Sequence, residues 1–174
     1  VDIYGALAEH SDEQIYYRTD HHWTTKGAYK AYTLLASELG YEPYEESFFQ
    51  TETVATDFLG TSFSRTALPK NVAEPDSIVL YRYDRDRYVT VTDRAGKNAP
   101  LEMYDFSALD GYDKYRVFLG GNHAHISVEL PPVAQEERDK LLVVKDSFAN
   151  SLIPFLALHF DLEVIDPRYA TASQ

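Results

Sequence analysis

Hydrophobic and polar positions recur with a helical period in one segment near the N-terminus. Between Thr24 and Leu39, small and apolar residues fall three or four positions apart, at Ala28, Ala31, Tyr32, Leu35 and Leu39. Thr24 or Thr25 can cap the first turn, and Gly40 is typical of a helix end. The pattern therefore predicts a helix over 24–39, preceded by a polar turn and a short strand around Tyr17.

The middle of the chain predicts strands rather than helices. Residues 41–75 show no sustained period, so we expect mostly loop with short turns there. Two β-rich runs at 78–83 and 88–92 flank a charged turn and predict a β-hairpin. Residues 93–100 contain Gly, Asn and Pro and are expected to form a further turn.

The last third of the chain predicts a βαβ unit. A short strand is expected at 116–119, running into a glycine turn, with 126–130 pairing near it. Residues 141–144 are apolar on both faces, as in a central strand of a parallel sheet. Helical spacing from about Asn150 and a strand at 162–166 complete the predicted unit, with a right-handed crossover.

An acid, an imidazole and a hydroxyl occupy positions that suit nucleophilic catalysis. Ser147 follows the predicted strand directly before a helix, where functional groups collect in open α/β sheets. Asp20 lies two positions before His22, so its carboxylate can bind one ring nitrogen and leave the other for Ser147. The amide of Ser147 could help to hold an oxyanion. These residues predict an acyl-transfer triad if the fold brings them together.

Structural roles and a metal site are the alternatives. Ser147 is typical of a helix cap, Asp20 could cap the helix at 24–39, and Trp23 could be a core residue. A metal site would take imidazole and carboxylate ligands from Asp20, His21, His22, His123 and His125. The chain lacks the His pair at i and i+4, with a helical Glu, that marks zinc proteases.

Size and charge limit the classes of partner. A length of 174 residues with 44% hydrophobic content predicts a single domain over 1–174. The net charge of −12 argues against binding to nucleic acid or anionic lipid. The absence of cysteine excludes thiol catalysis and disulfide bonds.

The chain contains no apolar run of the ~18 residues that a membrane helix needs, so no membrane insertion is expected. It also lacks the charged and apolar regions of a signal peptide at its N-terminus. Because Val1 is not an initiator methionine, we expect this domain to be part of a longer chain. An export signal or anchor is the expected upstream element.

Three sequence strings resemble the DHHW family of bacterial proteins: Tyr16–Thr24, Phe118–Asn122 and Lys145–Asn150. The resemblance spans nearly the whole chain and is most specific in the first string. This family looks like a branch of the SGNH hydrolase-like proteins, related to the alginate O-acetylation proteins. It implies a circularly permuted, flavodoxin-like three-layer α/β/α fold, here with a β-hairpin insertion.

The resemblance also implies a function. Ser147, His22 and Asp20 would form a catalytic triad of a serine esterase or O-acyltransferase, with His22 rather than His21 as the base. Its substrate would be O-acetyl groups on a cell-envelope or exported carbohydrate, with no cofactor, and its location extracytoplasmic or on the cell surface. The alternative is a non-catalytic carbohydrate-binding or envelope assembly module with the same fold.

Two departures from the SGNH pattern concern the oxyanion site. Lys145 stands where the serine block of such proteins has glycine, and a later strand carrying an oxyanion Asn is not visible. Gly121 and Asn122 could supply the missing donors, or could simply end a strand. Arg168 could line the pocket and orient a carboxylate or sugar hydroxyl, or could form a surface ion pair.

Overall fold

The computed structural model describes residues 2–96, 98–132 and 137–171. The chain is a mixed α/β protein and divides into two compact units. The first unit comprises Val1–Tyr83 and Phe106–Tyr115, and the second comprises Asp84–Asp105 and Arg116–Gln174. A single domain over 1–174 stays a prediction.

The first unit combines helices with a two-stranded sheet. Its regular elements are α1 (Ile3–Ala8), α2 (Thr25–Leu39), β1 (Gln50–Phe58), α3 (Thr61–Ser64) and β2 (Asp76–Arg82), with 3₁₀ helices at Glu46–Phe48, Lys70–Val72 and Phe106–Asp110. β1 and β2 are antiparallel, and α2 packs against β2. The prediction of α2 is confirmed: Thr24 Oγ1 accepts a hydrogen bond from the Gly27 amide at 3.2 Å, and the helix ends at Gly40. Its face of small residues and Tyr32 is buried.

The prediction of a loop over 41–75 is wrong at Gln50–Phe58, which form the strand β1. This strand is threonine-rich and exposed or half-buried at every position except Phe58. Because neither face of most of the strand is buried, no apolar alternation marked it in the sequence. Its pairing is set by β2, whose Ile78 and Leu80 are fully buried.

The second unit is built on a five-stranded sheet. Its regular elements are β3 (Thr90–Asp93), β4 (Pro100–Leu101), β5 (His125–Glu129), β6 (Asp139–Val144), α4 (Ile153–Leu156) and β7 (Phe160–Ile165), with 3₁₀ helices at Asp86–Tyr88 and Ser147–Ser151. The strand order is β4-β3-β5-β7-β6; β6 and β7 pair in parallel, and the other neighbouring strands in this order pair antiparallel. The core side of this sheet is formed by Val91, Ile126, Val128, Leu162 and Val164.

The predicted β-hairpin is wrong. β2 pairs with β1, whereas β3 pairs with β4 and β5 in a different sheet. The connection between β2 and β3 contains the 3₁₀ helix Asp86–Tyr88 in place of a tight turn. Two β-rich runs predicted the strands correctly, but their adjacency in sequence did not predict their partners. The turn predicted at 93–100 joins the antiparallel strands β3 and β4, and Lys97 lies outside the described residues.

The predicted parallel pair near the C-terminus is confirmed in β6 and β7, which are joined through Ser147–Ser151 and α4. The helix is shorter than expected, because Pro154 confines the α-helical part to a start at Ile153. β6 is the last strand of its sheet rather than a central one, with Leu142 61% and Val144 65% exposed. Apolar residues on both faces predicted a strand but not its place in the sheet.

The short strand predicted at 116–119 is also wrong. Residues Lys114–Val117 form a 3₁₀ helix, and Phe118 makes only an isolated bridge with Tyr104. Its apolar residues are buried without joining a sheet. The strand predicted at 126–130 is β5, and it pairs with β3 and β7. In the described part of the chain, no helix has the length and apolar character required to cross a membrane.

Candidate active site

The segment that carries Asp20 is anchored by a buried carboxylate, Asp76, at the first residue of β2. Asp76 Oδ2 accepts hydrogen bonds from the Thr19 amide at 2.8 Å and from Thr19 Oγ1 at 2.6 Å. Its Oδ1 accepts from the Arg18 amide at 3.1 Å and from Gln14 Nε2 at 3.0 Å. These bonds fix the backbone immediately before Asp20, so the direction of the Asp20 side chain is set by the sheet.

Asp20 and His22 form a hydrogen-bonded dyad. Asp20 Oδ1 lies 2.5 Å from His22 Nδ1 and also accepts from the His22 amide at 3.0 Å. An ionised carboxylate can only accept, so Nδ1 carries the proton and Nε2 is left as the acceptor. The helix-cap role considered for Asp20 is wrong, because Thr24 caps α2.

The second carboxylate oxygen of Asp20 is held by the start of α3. Thr61 donates to Oδ2 from its amide at 2.7 Å and from its hydroxyl at 2.9 Å. Burial opposes ionisation, but the hydrogen bonds from His22 and Thr61 outweigh it and hold the pKa of Asp20 well below its usual range. Asp20 is therefore an anion at neutral pH, suited to stabilise an imidazolium.

Aromatic contacts fix the plane of the His22 ring. Tyr115 stacks on it with a centroid distance of 3.9 Å and an interplanar angle of 7°. His21 lies on the solvent side, its ring 3.8 Å from that of His22 and its Nδ1 2.8 Å from Thr61 Oγ1. Burial, followed by the neighbouring His22, lowers the pKa of His21. The short bond to Asp20 belongs to His22, which is buried, and His21 Nδ1 is 3.7 Å from the same oxygen.

Gly60 allows the α3 loop to approach Asp20 closely. A Cβ at this position would lie 2.3 Å from Asp20 Cβ and 2.5 Å from Asp20 Oδ2. The Gly60 amide donates to Thr19 Oγ1 at 3.1 Å, on the same side. Sequence reasoning missed Gly60, Thr61 and Asp76, since the first two lie in a segment without periodicity and the third resembles an ordinary residue at a strand start.

Ser147 lies in the second unit, in the turn that follows β6. It is the first residue of the 3₁₀ helix Ser147–Ser151 and is 9% exposed. Asp146 caps this helix by accepting a hydrogen bond from the Phe148 amide at 2.9 Å. The predicted position between strand and helix is therefore confirmed for Ser147. Asp20 and His22 belong to the first unit.

The glycine turn before β5 has an unusual backbone. Leu119, Gly120 and Gly121 have φ values of 62°, 71° and 112°, all in the left-handed region. Glycine adopts such angles readily, whereas the buried Leu119 is held there at a cost. Asn122 follows, and its Oδ1 accepts a hydrogen bond from Asn150 Nδ2 at 3.1 Å. The turn is thus bonded to the 3₁₀ helix that begins at Ser147.

Lys145, Asp166 and Arg168 form a partly buried charge cluster at the carboxyl ends of β6 and β7. Lys145 Nζ lies 3.9 Å from Asp166 Oδ2, and burial lowers the pKa of Lys145 to about 8, with Asp166 opposing the shift. Arg168 donates to the fully buried Asp166 from Nε at 2.9 Å and Nη2 at 2.6 Å. Arg168 therefore forms an ion pair, but with a buried carboxylate rather than at the surface as predicted, and its pocket role stays a prediction.

Three residues of the candidate metal site lie together in the first unit. Ligand atoms of Asp20, His21 and His22 all lie within 4.8 Å of one another. An ion there would compete with the hydrogen bonds that both Asp20 oxygens already accept. His123 Nε2 is 2.7 Å from the Leu119 carbonyl, and His125 Nε2 is 2.6 Å from a Glu163 oxygen, both in the second unit.

The family model for the DHHW protein matches residues 1–165, so the chain belongs to the DHHW family. Among solved structures, it is similar to a DHHW family protein from Eubacterium siraeum DSM 15702, with 31% identity and a TM-score of 0.77. That match covers 98% of this chain and 56% of the other. No curated protein matches the chain.

Two structures of Bacillus cereus PatB1 share the fold at 22% identity. The one with a sulfonyl adduct has a TM-score of 0.70, covering 94% of this chain and 58% of PatB1. The other has a TM-score of 0.67, covering 91% and 55%. The chain thus spans just over half the length of the solved proteins it matches.

Proposed function

We propose that the chain is a serine esterase or O-acyltransferase that acts on O-acetyl groups of cell-envelope or exported carbohydrate. The observation that carries the proposal is the Asp20–His22 dyad, with a 2.5 Å bond that leaves His22 Nε2 as an acceptor. The proposal includes an SGNH hydrolase-like, circularly permuted frame and an extracytoplasmic location. Membership of the DHHW family and the fold shared with PatB1 support it.

In the proposed mechanism, His22 Nε2 accepts the proton of Ser147 Oγ as that oxygen attacks the acetyl carbonyl carbon. Asp20 stabilises the imidazolium, and Asn122 donates to the oxyanion. Gly121, the other candidate donor, already gives its amide hydrogen to the Phe118 carbonyl at 3.1 Å, which counts against it. The tetrahedral intermediate collapses, the ester C–O bond breaks, and the sugar oxygen leaves with the proton from His22. Water, or a hydroxyl of a second sugar, then gives its proton to His22 and attacks the acetyl-enzyme. The bond between the acetyl carbon and Ser147 Oγ breaks, Oγ takes the proton from His22, and acetate or the acetylated sugar leaves.

The sulfonyl adduct of PatB1 suggests a direct chemical probe. Sulfonyl groups with a leaving group are attacked by activated nucleophiles, and the product is stable enough for mass spectrometry. A sulfonyl fluoride should therefore modify Ser147 in the wild-type chain, and His22→Gln should slow the modification because the hydroxyl loses its base. Labelling at another residue, or equal labelling in both proteins, would count against the proposed nucleophile.

Turnover of a small acetyl ester provides the main test. Ser147→Ala should lower kcat/KM for 4-nitrophenyl acetate by about 10³-fold or more. The matched control is Ser11→Ala, at an exposed serine in the turn after α1, which should keep wild-type turnover. Equal activity in wild-type and Ser147→Ala proteins would refute the enzyme. If acetylated glycans bind measurably without turnover or labelling, the non-catalytic module becomes the better description.

A further inference from the structure

A chain of three polar side chains connects β6 to the glycine turn, and we call it the amide relay: Lys145, Asn150 and Asn122. Lys145 Nζ donates to Asn150 Oδ1 at 2.5 Å. Asn150 Nδ2 donates to Asn122 Oδ1 at 3.1 Å and faces the Gly121 carbonyl at 3.4 Å. Lys145 and Asn150 are both buried, and all members lie in the second unit.

The charge at one end of the relay determines the orientation of both amides. An ammonium group only donates, whereas an Asn side chain has one donor end and one acceptor end. Lys145 therefore requires the oxygen of Asn150, which turns the Asn150 NH₂ group toward Asn122. Asn122 must in turn present its own oxygen to Asn150, so its Nδ2 points away from the relay. Reversing either amide would bring two donors together beside the buried Lys145 and Asn150, which is unfavourable.

The relay lies beside the residue proposed as nucleophile. Asn150 is three positions after Ser147 in the same 3₁₀ helix, and side chains three apart in such a helix point to the same side. The backbone before Asn122 takes left-handed angles at Gly120 and Gly121 and is held by Arg116 Nε, which donates to the Gly120 carbonyl at 3.1 Å. The Asn122 amide is thus hydrogen-bonded, in one orientation, to Asn150 on the side of the helix that carries Ser147.

We propose that Lys145 is a positioning residue that, through Asn150, fixes the Asn122 amide so that its Nδ2 donates to the oxyanion formed on attack by Ser147. This inference rests on the proposed function. Lys145 has Asp166 at 3.9 Å across the pair of parallel strands, with Arg168 and Asp146 as the other charges near it. Its pKa of about 8 keeps the ammonium form predominant at neutral pH, as the relay requires.

A double-mutant cycle on kcat tests the connection between Lys145 and Asn122. Loss of one oxyanion donor in Asn122→Ala should lower kcat about 10²- to 10³-fold with little change in KM. Lys145→Met should lower kcat in the wild-type background and have no further effect in the Asn122→Ala background. Lys140→Met, at an exposed lysine of β6, the strand that directly precedes Lys145, is the matched control and should not change kcat.

A second variant serves if Lys145→Met does not fold. Asn150→Asp keeps an acceptor for Lys145 but removes the donor to Asn122, so the Asn122 amide should turn its NH₂ group inward. Its loss of kcat should match that of Asn122→Ala. Multiplicative losses from Lys145→Met and Asn122→Ala, an effect on KM alone, or wild-type kcat in Asn150→Asp would overturn the inference. Loss of activity in Ser147→Ala would still uphold the proposed function.

An activity-independent measurement separates the two failures. In ¹⁵N-edited NMR spectra, the side-chain NH₂ group of Asn150 should be protected from hydrogen exchange in the wild-type and Lys140→Met proteins. Protection should be lost in Lys145→Met. If protection persists there, the relay is wrong even in an active enzyme. If protection is lost but no Ser147-dependent turnover exists in the wild-type protein, the relay is structural and both the proposed function and the oxyanion role fail.

Discussion

The approach of Gly60 to Asp20 leads to a quantitative prediction for Gly60→Ala. The added Cβ would lie 2.3 Å from Asp20 Cβ, whereas ordinary contacts of this kind span 3.4–4 Å. Asp20 and the start of α3 must therefore separate by about 1 Å, a displacement that can lower the rate of a well-positioned reaction about 10²-fold. The strain should cost about 1–3 kcal/mol of folding free energy, because Asp20 Cβ moves only with its backbone and Asp20 Oδ2 is held by the hydrogen bonds from Thr61.

Two measurements check the Gly60→Ala prediction. For a chain of this length, each kcal/mol lowers Tm by about 2–4 °C, so calorimetry should detect the strain. The proton in the short bond between Asp20 and His22 should resonate far downfield in the wild-type ¹H NMR spectrum and move upfield in the variant. Gly96→Ala is the control, since its Cβ would meet only the end of the Asp93 side chain, at 3.0 Å. Unchanged Tm and an unmoved proton resonance in Gly60→Ala would refute the close-packing explanation.

Three further predictions concern buried charges. Asp20→Asn should lower kcat about 10⁴-fold, because the amide no longer enforces the Nδ1–H tautomer of His22, and a loss under tenfold in a folded variant would contradict this role. Asp76→Asn should lower the free energy of unfolding, measured with urea at pH 7, by about 3 kcal/mol, because the new NH₂ group faces donors and finds no acceptor in a buried site. An unchanged free energy of unfolding would show that the Asp76 anchor is dispensable. The pKa of Lys145 is lowered from 10.5 to about 8, so between these pH values the unfolded chain binds more protons and stability rises with pH. From pH 7 to 10.5, the free energy of unfolding of the wild-type protein should rise by on the order of 3 kcal/mol relative to that of Lys145→Met. If the two proteins change in parallel, Lys145 has an ordinary pKa.

Local patterns predicted the elements whose burial follows a regular period. α2 shows small residues on one face and a threonine cap, and both features are local in sequence. The same is true of β7, where buried and half-buried residues alternate. β1 escaped prediction because its residues are exposed on both faces, so its strand state depends on pairing with β2 rather than on a hydrophobic pattern.

The candidate site shows the same division between local and distant contacts. The Asp20–His22 dyad could be predicted, because two residues of one turn interact over a short stretch of backbone. The groups that hold it could not: Thr61 is 41 positions from Asp20, and Asp76 is 57 positions from Thr19. Lys145 was noticed as a departure from a family pattern, but its bond to Asn150 required coordinates.

The order of segments along the chain has a consequence for biosynthesis. The first unit needs residues Phe106–Tyr115, which the ribosome makes only after part of the second unit, Asp84–Asp105. The contacts around His22 therefore cannot all form until Tyr115 has left the ribosome. A truncated product ending at Tyr83 would lack the Tyr115 ring that stacks on the imidazole. Each unit consists of two separate segments of the chain, so neither can be expressed as one continuous fragment. A fragment designed to contain one unit should include both of its segments.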